Sequence, residues 1–229
     1  WYYQLTSHDL YDHDIGASVI LTEIKLDNKI ENVVIAGSKS GYVLVLNSSN
    51  GKPIYPPIQL SLQLNNINDN NPNANLTLES AGNKVVCPAN NGGVQSSIGF
   101  ANNIIYAVSQ NTCRKFNVTG VTTRDKFFTG GEVDVGLNDN STLYAINAST
   151  GKTLWEFFMN GSYRKGSATI SDDLVLLGAD NGFAYILNKN NGKLLFKLEV
   201  GAPVGAPITL GADSDGKMKI FIPFGGIGR

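Results

Sequence analysis

Apolar and polar residues alternate along most of this chain in short runs, the period of half-buried β-strands. Such runs are Ile20–Lys25, Asn32–Ala36, Ile104–Ser109, Asp173–Leu177 and Lys219–Pro223. Turn formers separate them at Asp27-Asn28, Asn102-Asn103, Asp180-Asn181-Gly182 and Asp213-Ser214-Asp215-Gly216. No long stretch carries a helical period, so the pattern predicts an all-β chain. Residues 61–84 break the alternation. They are Asn-rich and poor in strand formers, and predict a surface excursion.

Three segments superpose without gaps: Gly41–Tyr55, Ser141–Trp155 and Gly182–Phe196. Each has a β-rich run, Asn at the seventh place, Gly-Lys at the eleventh and twelfth, and an aromatic at the fifteenth. The physical reading is a hairpin whose turn places Gly where φ must be positive, with the next strand ending on the aromatic. The last two copies start at Ser141 and Gly182, 41 residues apart, which is the period of a four-stranded propeller blade.

The 229 residues suffice for a sizeable core. A net charge of −1 gives no attraction to nucleic acid or to an anionic membrane, and no apolar run reaches the length of a membrane span. These residues read as carrying no signal peptide, and the chain opens at Trp1 and stops at Arg229 in ways that read as cuts. Asparagine is heavy, with seven copies from Asn65 to Asn75. Six N-x-[Ser/Thr] sequons start at Asn47, Asn75, Asn117, Asn140, Asn147 and Asn160, a hint of an extracytoplasmic, glycosylated protein. Cys87 and Cys113 are either two buried thiols or one disulfide, and the even count leans to the latter.

Chemistry concentrates at the start. WYYQLTSHDLYDHD holds Asp9, Asp12, Asp14 and both histidines, His8 and His13, behind an aromatic run, in a chain only 16% charged. Closely spaced carboxylates suit a general base or a hard-metal site. They equally suit a solvated turn whose side chains bond their own backbone.

With these motifs in order, the chain resembles the C-terminal half of a pyrroloquinoline-quinone (PQQ) dependent alcohol or methanol dehydrogenase. The segment Ala145–Trp155 matches that family's Ala-x-Asp-x-x-Thr-Gly-Lys-x-x-Trp repeat, with Asn147 for Asp. The opening segment matches Trp-x-Tyr-Gln-x-Thr-Pro-His-Asp-x-Trp-Asp, with Ser7 for Pro and Tyr11 for Trp. AGSKSGYVLVLNSSNGK, CPANNGGVQSSIGF, Lys126–Gly131 and the tail from Lys193 to Gly226 also fit the family pattern. The resemblance implies a β-propeller with PQQ-type repeats, about four blades of an eight-bladed ring, with residues 1–229 as a partial propeller.

It further implies roles for single residues. Asp12 falls on the family's catalytic base and is also a metal-side carboxylate. Asp14 resembles the extra ligand of the lanthanide-using branch; alternatively it starts the next turn. His8 and His13 read as packing or hydrogen-bonding partners, since hard cations prefer oxygen. Lys39 matches a basic residue that reaches the quinone oxygens, and Gln95 falls where the family has an Asn beside the cofactor. Cys87 and Cys113 fall on paired positions, which implies a disulfide and an oxidising compartment. Lys165-Gly166 and Ser96 stand where the family often has tryptophans.

The function so implied is oxidation of a small alcohol by base-assisted hydride transfer to PQQ held with Ca²⁺ or a lanthanide. Cytochrome c or a quinone would accept the electrons, in the periplasm or at the cell surface. The N-terminal half of the propeller would be supplied from outside these residues, and the fragment alone would be inactive. The alternatives are a non-catalytic scaffold that kept the repeat and, third, a sugar-binding or adhesive propeller. No Cys-x-x-Cys-His occurs, so no haem attaches to this segment.

Overall fold

The computed structural model describes residues 1–6, 9, 11–65, 84–121, 128–134, 139–161 and 166–225, with only the backbone described at 118–121 and 128–134. His8, Lys126, Lys165 and most of the Asn-rich stretch lie outside the described residues.

All described regular structure is β. Strands β1 (Ile20–Leu26), β2 (Lys29–Gly37), β3 (Tyr42–Asn47) and β4 (Ile58–Gln59) form one antiparallel sheet in chain order. The short β5 (Val85–Val86) follows. The second four-stranded sheet runs β6 (Gly99–Ala101), β7 (Ile104–Asn111), β10 (Asn140–Asn147), β11 (Thr153–Asn160). Between β7 and β10 the chain inserts β8 (Arg114–Val121) and β9 (Phe128–Asp134), which pair with each other, while β8 also pairs with β5. The third sheet is β12 (Thr169–Ile170), β13 (Leu174–Gly178), β14 (Phe183–Asn188) and β15 (Leu194–Glu199), and β16 (Thr209–Ala212) pairs with β17 (Met218–Phe221). Among the described residues, these sheets make three propeller blades and the first pair of a fourth. The inserted hairpin was not anticipated from the sequence.

The central strands are buried on both faces, which is why they read as near-continuous apolar runs. Side chains alternate across a strand. Ile105 and Ala107 thus enter the core between the first and second blades, with Val43, Val45 and Ile146. Tyr106 and Val108, one residue out of phase, enter the core between the second and third, with Val175, Leu177 and Leu187. Leu176 and Ala184 then meet Val204 and Ile208 of the fourth.

The three repeated turns are built alike. Asn47, Asn147 and Asn188 each accept, on the side-chain oxygen, the amide two residues on. Gly51, Gly151 and Gly192 sit at φ 72°, 69° and 69°. On each glycine lies an aromatic from the preceding blade position: Trp1, Tyr55 and Trp155. A Cβ on Gly192 would stand 2.4 Å from the Trp155 ring. The three aromatics donate in the same register, to the carbonyls of Ser48, Ala148 and Lys189 at 2.8, 3.0 and 2.9 Å. In the first copy the aromatic precedes β4 instead of lying within a strand. Pro53, Pro56 and Pro57 remove the ladder donors there.

Candidate functional site

The acidic segment folds around Asp9. Its Oδ1 accepts the amides of Tyr11 at 3.2 Å and His13 at 2.8 Å, the local turn that Asp side chains favour. Tyr11 is buried, its ring 4.8 Å from that of Phe116. Asp12 adopts φ 60°, in the left-handed region that Asp tolerates better than most residues. His13 turns inward while Asp12 and Asp14 turn out, with side chains 64% and 54% exposed.

The His13 Nε2 lies 2.9 Å from the Pro88 carbonyl, which can only accept, so Nε2 carries the proton. Burial pushes the imidazole pKa below 6.5, against the opposing pull of the Pro88 carbonyl, Asp9 and Asp12, so the ring is neutral at neutral pH.

Hydrogen bonds join this segment to the β2–β3 turn. Ser38 Oγ donates to the His13 carbonyl at 3.1 Å, and the Lys39 amide donates to the Asp14 carbonyl at 3.0 Å. The Lys39 ammonium then lies between the two acids, 2.7 Å from Asp12 Oδ2 and 2.9 Å from Asp14 Oδ1. Burial works against its charge, but bonding and attraction from Asp12 and Asp14 outweigh this and hold its pKa above 10.5.

A third piece of chain, residues 87–95, closes the other side. The Cys87–Cys113 disulfide, S–S 2.05 Å, fixes its start, and the Cys87–Pro88 peptide is cis. Gly93 exchanges backbone bonds with Gln110, and Val94 donates to the Ser38 carbonyl. A Cβ on Gly93 would stand 2.1 Å from the Lys39 carbonyl oxygen, an approach only glycine permits at its φ of 68°. Between these pieces opens a cleft of about 530 Å³, lined by Asp14, Gly16, Ala17, Ser18, Lys39, Asn91, Gln95 and Ser97.

Asp14, Lys39 and Gln95 thus line one cleft, and Asp12 is joined to it through its ion pair with Lys39. The Gln95 amide nitrogen is turned back to the Gly92 carbonyl at 3.3 Å. Ser96 is buried. The disulfide forms as the family resemblance implied. The sequence reading missed Ser38, Asn91, Ser97 and the His13–Pro88 bond. The Ser-Lys-Ser triplet at 38–40 and the Gly92-Gly93 pair were the available signals for a tight turn and a close approach.

Two carboxylates converging on one positive charge fit the anionic side of a hard-cation site. Such a cation takes six to eight oxygens, and no group of three or more His, Cys, Asp or Glu side chains gathers among the described residues. The residues fit such a site in part. Lys39 supplies a positive charge suited to an anionic ligand in the same cleft, which Asn91 and Gln95 also line.

The chain is similar to several known proteins. Residues 1–65 match the family described as glucose/ethanol/alcohol dehydrogenase, β-propeller domain. Residues 139–216 match that of outer membrane protein assembly factor BamB. Quinoprotein alcohol dehydrogenase PedE of Pseudomonas putida is 26% identical over 258 aligned residues, which take in 99% of this chain and 39% of PedE. Quinoprotein glucose dehydrogenase of Escherichia coli is 36% identical over 56 residues, 24% of this chain and 7% of that protein.

Among solved structures, a quinohemoprotein alcohol dehydrogenase from Pseudomonas putida HK5 superposes with TM-score 0.74 at 15% identity, over 96% of this chain and 36% of its own. That from Comamonas testosteroni gives 0.74 at 19%, with the same coverage. A europium-containing methanol dehydrogenase gives 0.71 at 15%, over 92% and 39%. At these identities the superpositions establish the β-propeller fold. The chain spans about two fifths of the length of PedE.

Proposed function

We propose, from the premise that this chain is similar in sequence and fold to part of a PQQ-dependent alcohol dehydrogenase, that it supplies one side of a quinoprotein active site. The observation that carries this is the Lys39 ammonium held between Asp12 and Asp14 at the mouth of a polar cleft. Asp12 is the base, the carboxylate that takes the proton of a small alcohol's hydroxyl. Asp14 adds an anionic oxygen for Ca²⁺ or a lanthanide, beside Asp12. Lys39 and Gln95 hold the quinone, Lys39 by charge and Gln95 by its amide. Bound there, PQQ with its cation would supply the hydride acceptor and the Lewis acid.

The remaining blades and ligands come from outside these residues, and a cytochrome or a quinone takes the electrons. The disulfide and the sequons favour an extracytoplasmic, glycosylated protein. A second reading, a non-catalytic scaffold, is favoured by the match of residues 139–216 to the BamB family.

The full-length protein, reconstituted with PQQ and Ca²⁺ or La³⁺ and assayed by dye reduction with methanol or ethanol, separates the two. Turnover is expected, with Asp12→Asn lowering kcat by about 10² to 10⁴ while quinone binding persists. No turnover with either metal, and no quinone absorbance retained through gel filtration, would establish the scaffold.

A further inference from the structure

We propose that His13 is a positioning residue: its imidazole ties the Asp12–Asp14 segment to the disulfide-anchored loop 87–95 and so sets the two walls of the cleft against each other. The role for catalysis rests on the function proposed above; the tether itself does not. His13 is 6% exposed between two acids that face solvent. Each of three polar groups of His13 engages a different piece of chain. Its amide donates to Asp9 Oδ1 at 2.8 Å, its carbonyl accepts from Ser38 Oγ at 3.1 Å, and Nε2 donates to Pro88 at 2.9 Å.

The last bond spans 75 positions in sequence and is buried. Pro88 follows Cys87, so the acceptor is held by the disulfide to Cys113. The same loop carries Asn91 and Gln95 into the cleft opposite Lys39. A leucine would fill the space beside Tyr11 but would donate nothing to the Pro88 carbonyl. A glutamine keeps an N–H donor of similar reach.

Hydrogen-exchange mass spectrometry resolved to single residues, on full-length protein free of metal and quinone, tests the tether. The reporter is the Lys39 amide, bonded to the Asp14 carbonyl, and the control is the amide of Leu143, whose residue lies in the core. His13→Leu is expected to speed exchange at Lys39 about tenfold and leave Leu143 unchanged, with His13→Gln within about threefold of wild type. Reduction of the disulfide should speed Lys39 exchange in wild type and add little in His13→Leu. Unchanged Lys39 exchange in His13→Leu would overturn the proposal, and so would equal acceleration at Leu143, which would make His13 a packing residue only. Terbium luminescence titration of the same proteins separates the two claims. Absence of binding in wild type sinks the metal-site reading and leaves the tether to the exchange result. Binding unaffected by His13→Leu overturns the positioning role.

Discussion

Lys39 serves two carboxylates at once, and that sharing governs what its removal does. Both acids are more than half exposed, so solvent screens the pair and each ion pair adds little to stability. Lys39→Met is therefore expected to lower unfolding free energy in urea by about 1 kcal/mol or less. The same change frees both acids from a competing ammonium, so terbium affinity of the full-length protein should rise while quinone binding falls. Unchanged affinity for both would remove Lys39 from the site. Tyrosines offer a pH test. Burial pushes the phenols of Tyr55 and Tyr106 up to about 12 from an ordinary value of 10.0. The unfolded chain then loses these protons first, so their contribution to stability is intact below pH 10 and declines as pH rises from 10 to 12. Urea titrations across that window should show this decline. It should shrink in Tyr55→Phe, which also forfeits about 1 kcal/mol with its bond to the Ala148 carbonyl.

At the scale of the element, the repeated turn is the unit that joins one blade to the next. Glycine is required there twice over, by positive φ and by the ring lying on it. Gly192→Ala is expected to destabilise by about 1–3 kcal/mol, read as a lower urea midpoint with unchanged slope. A neutral result would mean that Trp155 can leave the turn at no cost. The same geometry sorts the sequons. The Oδ1 atoms of Asn47 and Asn147 each accept two backbone amides within their turns, whereas Asn117 is exposed on the inserted hairpin. Glycopeptide mapping of protein secreted from a eukaryotic host should find glycan at Asn117 and none at Asn47 or Asn147. The turns were legible because Asn and Gly-Lys recur at fixed spacing. The β8–β9 pair was not, because its strand residues mix Lys, Asn, Thr and Gly among the apolar ones, and β8 is joined to the rest of the chain by long-range pairing with β5.

For the whole molecule, the third blade and the strand pair after it carry uncovered apolar surface. Phe196 occupies the place that Tyr55 and Trp155 hold in the other two copies, and is 54% exposed where those two are half-buried. Beside it Leu176, Ile186, Leu198, Ile208, Ile220 and Ile222 line a groove of about 200 Å³. Surface of this kind drives association. Residues 1–229 expressed alone should self-associate with rising concentration in sedimentation velocity and, under the proposed function, should not turn over an alcohol. A stable monomer that binds no hydrophobic dye would contradict their being part of a larger ring.

The sequence by itself determined the all-β architecture, the repeated turns with their glycines and the aromatic that follows each, and the residue types at the site. These follow from local rules: period-two burial, positive φ at glycine and the turn chemistry of Asn. Only the tertiary structure decided which groups meet. Asp12 and Asp14 lie about 25 residues before Lys39 and share its charge only because hydrogen bonds join residues 12–14 to the β2–β3 turn. His13 reaches Pro88 across 75 positions because the disulfide loop crosses at that point. Contacts at such separation depend on how blades stack and loops return, and no local pattern in the chain encodes that.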